Sequence, residues 1–96
     1  YWENIKNLVS MIGSQENESE IIQLEVYRLA VNSIETYARK FRADGVTQED
    51  MTQLFETVQD AVEEVSATSD KTQEMQQDIT ARFQATQSAI ENAYRE

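Results

Sequence analysis

The sequence predicts an all-α protein, and three observations carry the prediction. The 96 residues contain no proline and two glycines. Apolar residues recur every three or four positions through three long segments. In the C-terminal half, a polar column stays in phase with two inward columns for six heptads. The expected architecture is one helical domain over residues 1–96, a hairpin or bundle with a long coiled-coil-like C-terminal helix.

Helix 1 covers about residues 2–12, where Trp2, Ile5, Leu8, Val9 and Ile12 share one face and Gly13 closes the segment. The stretch Gly13 to Ser19 reads as a loop, with Asn17 as N-cap and Glu20 completing a capping box. Helix 2 follows over about residues 18–43. Its apolar residues, among them Ile21, Ile22, Leu24, Val26, Leu29, Val31, Ile34 and Ala38, occupy more than half of the circumference. A helix of that kind needs cover on two sides. Tyr27, Tyr37 and Phe41 are read as core rather than as a ligand box. The polar remainder, Arg28, Asn32, Glu35, Arg39 and Arg42, forms a single stripe assigned to solvent, with Glu35 and Arg39 as a favourable i,i+4 pair. Lys40 and Arg42 complement the dipole in the last turn before Asp44-Gly45 ends the helix.

Helix 3 covers about residues 48–94. Thr47 is its N-cap, Asp50 stands at the third position, and Val46 is placed to staple onto Met51. The inward columns read Met51, Val58, Val65, Thr72, Ile79, Thr86, Ala93 and Phe55, Val62, Ser69, Gln76, Phe83, Ile90. The outward column reads Glu49, Glu56, Glu63, Asp70, Gln77, Gln84, Glu91. Between Val65 and Ile79 the seam turns polar, with Thr68, Ser69, Thr72 and Gln76. Two readings follow. In one, a break at 66–70, capped by Asp70 and Gln73, folds the chain into a four-helix bundle. In the other, favoured by the continuity of phase, a single helix runs roughly 75 Å at 1.5 Å per residue. Helix 2 could cover only half of that length. The far half, presenting Met75, Ile79, Phe83, Ile90 and Tyr94, would then be the partner-binding surface of a homodimer or of a complex with another helical protein. Polar layers at Thr68, Thr72 and Gln76 would set its register.

Composition narrows the functions. With no Cys and no His, the chain has no thiolate nucleophile, no imidazole base, and no zinc, haem or iron–sulfur site of the usual ligands. Glu49-Asp50 and Glu63-Glu64 lie at or beside the outward column, where a carboxylate has no desolvated cleft in which to act as acid or base. No catalytic residue, metal ligand or cofactor is assigned. Asp44-Gly45-Val46-Thr47-Gln48-Glu49 looks like half of a calcium loop, but Phe41, Arg42 and Ala43 stand where earlier oxygen ligands belong. Eight basic against eighteen acidic residues give a net charge of −10, which repels phosphate backbones, so nucleic acid is not an expected partner. No apolar run approaches the roughly 20 residues of a spanning helix, so no membrane insertion is expected.

The expected function is a non-enzymatic helical interaction or oligomerisation module working through the apolar seam of helix 3. One alternative is an extracytoplasmic four-helix sensor of a small ligand, with Tyr1-Trp2 marking the exit from a membrane anchor. A second is an acidic decoy that inhibits a basic protein. A chain beginning at Tyr1 is expected to be a piece of a longer or processed protein. No motif identifies a family, and the compartment is not legible.

Overall fold

The computed structural model describes residues 1–13, 19–65 and 70–95. They form α1 (Trp2–Gly13), α2 (Glu20–Ala43), α3 (Gln48–Glu64), α4 (Asp70–Ala81) and α5 (Phe83–Arg95). No strand occurs among the described residues. α4 and α5 are two arms of one C-terminal helix bent at Arg82, so the fold is an all-α bundle of four helices. α2 lies at its centre and touches every other element, α3 runs back along it, and α4 with α5 closes the triangle against both. α1 lies on α2 and α3 and reaches neither α4 nor α5.

The helix ends follow from their local chemistry. α2 starts one residue after Ser19, whose side chain accepts the Ile22 N–H at 3.2 Å. The cap is thus Ser19, and Asn17, to which the sequence assigned it, lies outside the described residues. At the far end the Val46 N–H reaches back to the Phe41 carbonyl at 2.9 Å and Gly45 takes φ +101°. This wrapped carboxyl terminus requires a left-handed residue, which glycine adopts without steric cost. Two residues later Thr47 caps α3, accepting the Asp50 N–H at 3.1 Å. The 44–47 segment therefore stops one helix and starts the next with hardly a residue to spare, and it sets α3 antiparallel to α2.

The chain does not continue as one helix through the polar seam. Val65 leaves the helical region at φ −69°, ψ 113°, α4 begins at Asp70, and the whole molecule measures 43 × 24 × 16 Å, too short for the 75 Å helix expected from its length. The break falls where the sequence offered it as the second choice. The cap assigned to Asp70 involves a side chain outside the described residues, as do Thr68 and Ser69. The physical reason is burial. An unbroken helix would leave Ile79, Phe83 and Ile90 exposed, whereas turning back covers them within the chain at 1%, 9% and 2% exposure. Each such side chain contributes about 1.5–3 kcal/mol when removed from water. Phe83 meets Phe55 of α3 edge-on, with ring centroids 5.8 Å apart.

The polar residues of the seam serve that reversal. Gln76 donates its side-chain N–H to the Val62 carbonyl at 3.0 Å, satisfying one of the last-turn carbonyls that α3 cannot pair internally. Thr72 is buried at 3% exposure. At the bend, Thr86 is fully buried and its hydroxyl donates to the Arg82 carbonyl at 2.9 Å, a back-bond that commonly curves a helix.

Candidate interaction surface

The residues assigned to partner binding do not form an accessible surface. Met75, Ile79, Phe83 and Ile90 are at most 9% exposed and belong to the core shared with α2 and α3. Tyr94 is half-buried, and its hydroxyl donates to the Val46 carbonyl while the Arg42 guanidinium lies 5.6 Å from its ring centre. The expectation of an unmatched far half rested on the unbroken helix, and the reversal at 65–70 removes that basis.

The polar stripe of α2 is only partly a solvent stripe: Arg39 and Arg42 are exposed and Arg28, Asn32 and Glu35 half-buried. Glu35 takes the Arg82 guanidinium at the bend in a fork, Nε to Oε2 at 3.0 Å and Nη2 to Oε1 at 2.6 Å. This contact ties Glu35 to the C-terminal helix, and it holds the Arg82 pKa above its usual value, chiefly through the hydrogen bond. Arg28 lies 3.9 Å from Asp78. Arg42 donates to the Ala93 carbonyl at 2.7 Å, placing positive charge at the carboxyl end of α5 as well as of α2. Long side chains on the stripe therefore clamp α2 along α4 and α5.

With that sector taken, another is left open. Ile22, Leu29 and Tyr37 of α2 are 48%, 45% and 43% exposed. Ile22 and Leu29 are two turns apart and so share a face, with half-buried Val26 and then Tyr37 completing the row. Beside it runs a flank of α1, where Tyr1 and Met11 are 57% and 51% exposed with half-buried Leu8 between them. Tyr1 ties the two helices together at one end. Its hydroxyl lies 3.4 Å from the Ser33 hydroxyl, and its ring sits 5.6 Å from Tyr37 and 6.1 Å from Phe41. Trp2 turns inward onto Phe41 at 5.2 Å and is 9% exposed.

Tyr37, expected in the core with Tyr27 and Phe41, is thus a surface residue, and it adopts φ −115°, ψ 17°, a kink inside α2. Tyr27 and Phe41 are buried as expected, and burial with the nearby Glu64 charge raises the Tyr27 pKa. The sequence carried one signal for the open strip: apolar residues over more than half of α2, a requirement for cover that α1 alone meets on one side only.

Clefts among the described residues also flank the bundle elsewhere, two of them over the C-terminal helix. One, of about 260 Å³, lies between α3 and α5 over Phe55 and Ile90 with Gln48, Thr52, Gln59 and Gln87 around it. The other, of about 300 Å³, lies among Arg28, Asn32, Asp78 and Arg82. Among the described residues, no helix is long and apolar enough to cross a membrane, and no cluster of three carboxylates could hold a metal ion. No protein-family model matches the chain, and no curated protein and no solved structure matches it.

Proposed function

We propose that the chain is a non-enzymatic helical interaction module that packs a partner helix, itself carrying an apolar stripe, onto the exposed strip of the α1–α2 hairpin. The observation that supports this is the row of Ile22, Leu29 and Tyr37 on one face of α2, with Tyr1 against Tyr37 and Met11 on the adjoining α1, each 43–57% exposed. Single exposed apolar residues are ordinary, but a contiguous row of them is a mark of docking surfaces. The interaction function expected of the C-terminal seam is assigned here to a different face of the molecule.

The strip is tested with Nile red, an uncharged apolar dye that the acidic surface does not repel. Dye fluorescence rises on dilute wild-type protein and falls to near background on the Ile22→Asp/Leu29→Asp double variant, whose circular dichroism stays helical. Equal dye binding by a folded double variant would falsify the assignment.

One feature favours a second reading, the acidic decoy. α3 carries Glu49, Asp50, Glu56, Asp60, Glu63 and Glu64 and no Lys or Arg, so a strongly basic protein would meet α3 first. Binding of such a protein, lost on moderate salt and insensitive to Leu29→Asp, is the outcome that supports it.

A further inference from the structure

We infer, on the basis of the docking role proposed for the α1–α2 strip, that its occupant is a second copy of this chain, seated antiparallel on the same strip about a two-fold axis. Three observations lead to this partner. The first is the distribution of charge. The chain carries −10 in total, and α3 alone holds six of the acidic residues with no basic one. α2 carries Arg28, Arg39, Lys40 and Arg42 against Glu20, Glu25 and Glu35, and α1 carries Lys6 against Glu3; with Glu16 and Glu18 of their connection the hairpin nets −1. Two copies repel each other most strongly through α3, and the α1–α2 hairpin, close to neutral, opposes a second copy far less.

The second observation is the polarity of charge along α2. Glu20 and Glu25 stand in its first part, and Arg39, Lys40 and Arg42 stand at its end. Glu25 and Lys40 are exposed and border the strip: Glu25 lies one turn before Leu29, and Lys40 lies three turns after it on the same face. A parallel pair of α2 helices sets like charges together. An antiparallel pair sets the acidic part of each against the basic part of the other, the arrangement that electrostatic complementarity selects.

The third is the make-up and size of the strip. Its aromatic end, Tyr1 and Tyr37, and its aliphatic end, Met11 and Ile22, lie on opposite sides of Leu29. Glu25 meets the partner's Lys40 when the two-fold axis passes near Ser33, midway between them, and there Tyr37 of each copy lies on Leu29 of the other, so one strip is sufficient for an isologous contact. The exposed side chains offer an apolar face on the order of 500 Å² per copy. A symmetric pair then buries at most about 1,000 Å², the low end of specific interfaces, which is the size of a reversible association and not of an obligate dimer.

Sedimentation equilibrium of the full chain over about 10 μM to about 1 mM at low salt, a range suited to weak association, tests the inference. The expected wild-type result is a reversible rise from 11.1 kDa toward twice that mass. Glu25→Lys and Lys40→Glu each juxtapose like charges twice across the axis and weaken association about tenfold. The two sites are about 22 Å apart on one helix, too far to compensate within a chain. Recovery therefore has to come from between chains: the Glu25→Lys/Lys40→Glu double variant associates again, and the two single variants, mixed in equal amounts, associate with each other. A wild type that stays monomeric throughout overturns the inference, and so does a mixture or a double variant no stronger than the single variants. If the protein stays monomeric while Nile red binding still depends on Ile22 and Leu29, only the second-copy inference fails and the docking surface stands. If dye binding does not depend on them, the docking surface itself fails.

Discussion

On the C-terminal helix, Met75, Ile79, Phe83 and Ile90 are at most 9% exposed, whereas on the α1–α2 hairpin Tyr1, Met11, Ile22, Leu29 and Tyr37 are at least 43% exposed. Both rows are helical, apolar and similar in length. What separates them is the company the chain supplies. The reversal after Val65 brings α4 and α5 against both α2 and α3, so the first row is closed by two helices at once. The second row has only α1, twelve residues long and in contact with α2 and α3 alone. The difference teaches that apolar periodicity states how much of a helix wants cover without stating which neighbour provides it. Here long polar side chains decide the matter: Arg28, Glu35 and Arg42 reach across to Asp78, Arg82 and Ala93 and claim the side of α2 next to the C-terminal helix.

The largest expected effect comes from breaking the covered row. Ile79→Asp places a carboxylate in a site that is 1% exposed and costs several kcal/mol, either as an unpaired charge or as a buried protonated acid. That is comparable with the whole stability of a domain of this size. Circular dichroism and thermal denaturation should show loss of the cooperative transition. A variant that melts cooperatively near the wild-type temperature and is merely less associated would return the C-terminal row to the status of an interface.

The same contrast explains how much could be read in advance. The all-α class, the Thr47 cap, the Asp44-Gly45 stop and the core positions of α1 and α3 follow from local chemistry, and local chemistry is written in the sequence. The reversal near 66–70 was visible as a polar seam, yet phase continuity pointed the other way, because a helix reversed by a short connection can keep its apolar column in step on both sides. In the sequence Gln76 reads as a polar layer that sets register and Thr86 as one member of the inward column. Their roles, satisfying the Val62 and Arg82 carbonyls, depend on a neighbour or a bend that exists only after folding. The open strip is not legible in the sequence for a related reason. Tyr37, Ile22 and Leu29 are as apolar as residues that are buried, and only the position of α1 leaves them out.

A smaller effect tests how the covered row is anchored. Tyr94→Phe removes the hydrogen bond to the Val46 carbonyl that ties the end of α5 to the α2–α3 turn, at a cost of about 1 kcal/mol. Burial raises the Tyr94 pKa above the usual 10.0, with Arg42 working against the shift and Asp50 adding to it. The folded state thus holds this proton more tightly than the unfolded state does. Its contribution is complete below pH 10 and is lost as pH rises through the raised folded value. The gap in melting temperature between wild type and Tyr94→Phe should therefore be constant from pH 7 to 9 and narrow in more alkaline solution. A gap independent of pH would mean that the hydroxyl contributes nothing as a donor.

The smallest expected effect on the monomer comes from the open row. Leu29→Ser alters a side chain that is 45% exposed and should change the stability of dilute protein by no more than about 0.5 kcal/mol. Concentration then separates the monomer from its assembly. A native state that associates gains stability by mass action, so the wild-type melting temperature should climb with protein concentration while that of Leu29→Ser stays flat. The two curves meet at the dilute end and diverge at the concentrated end. If they instead run parallel, separated by a constant offset, Leu29 matters to the fold of one chain and not to the contact between two, and the distinction between the covered and the open row loses its functional meaning.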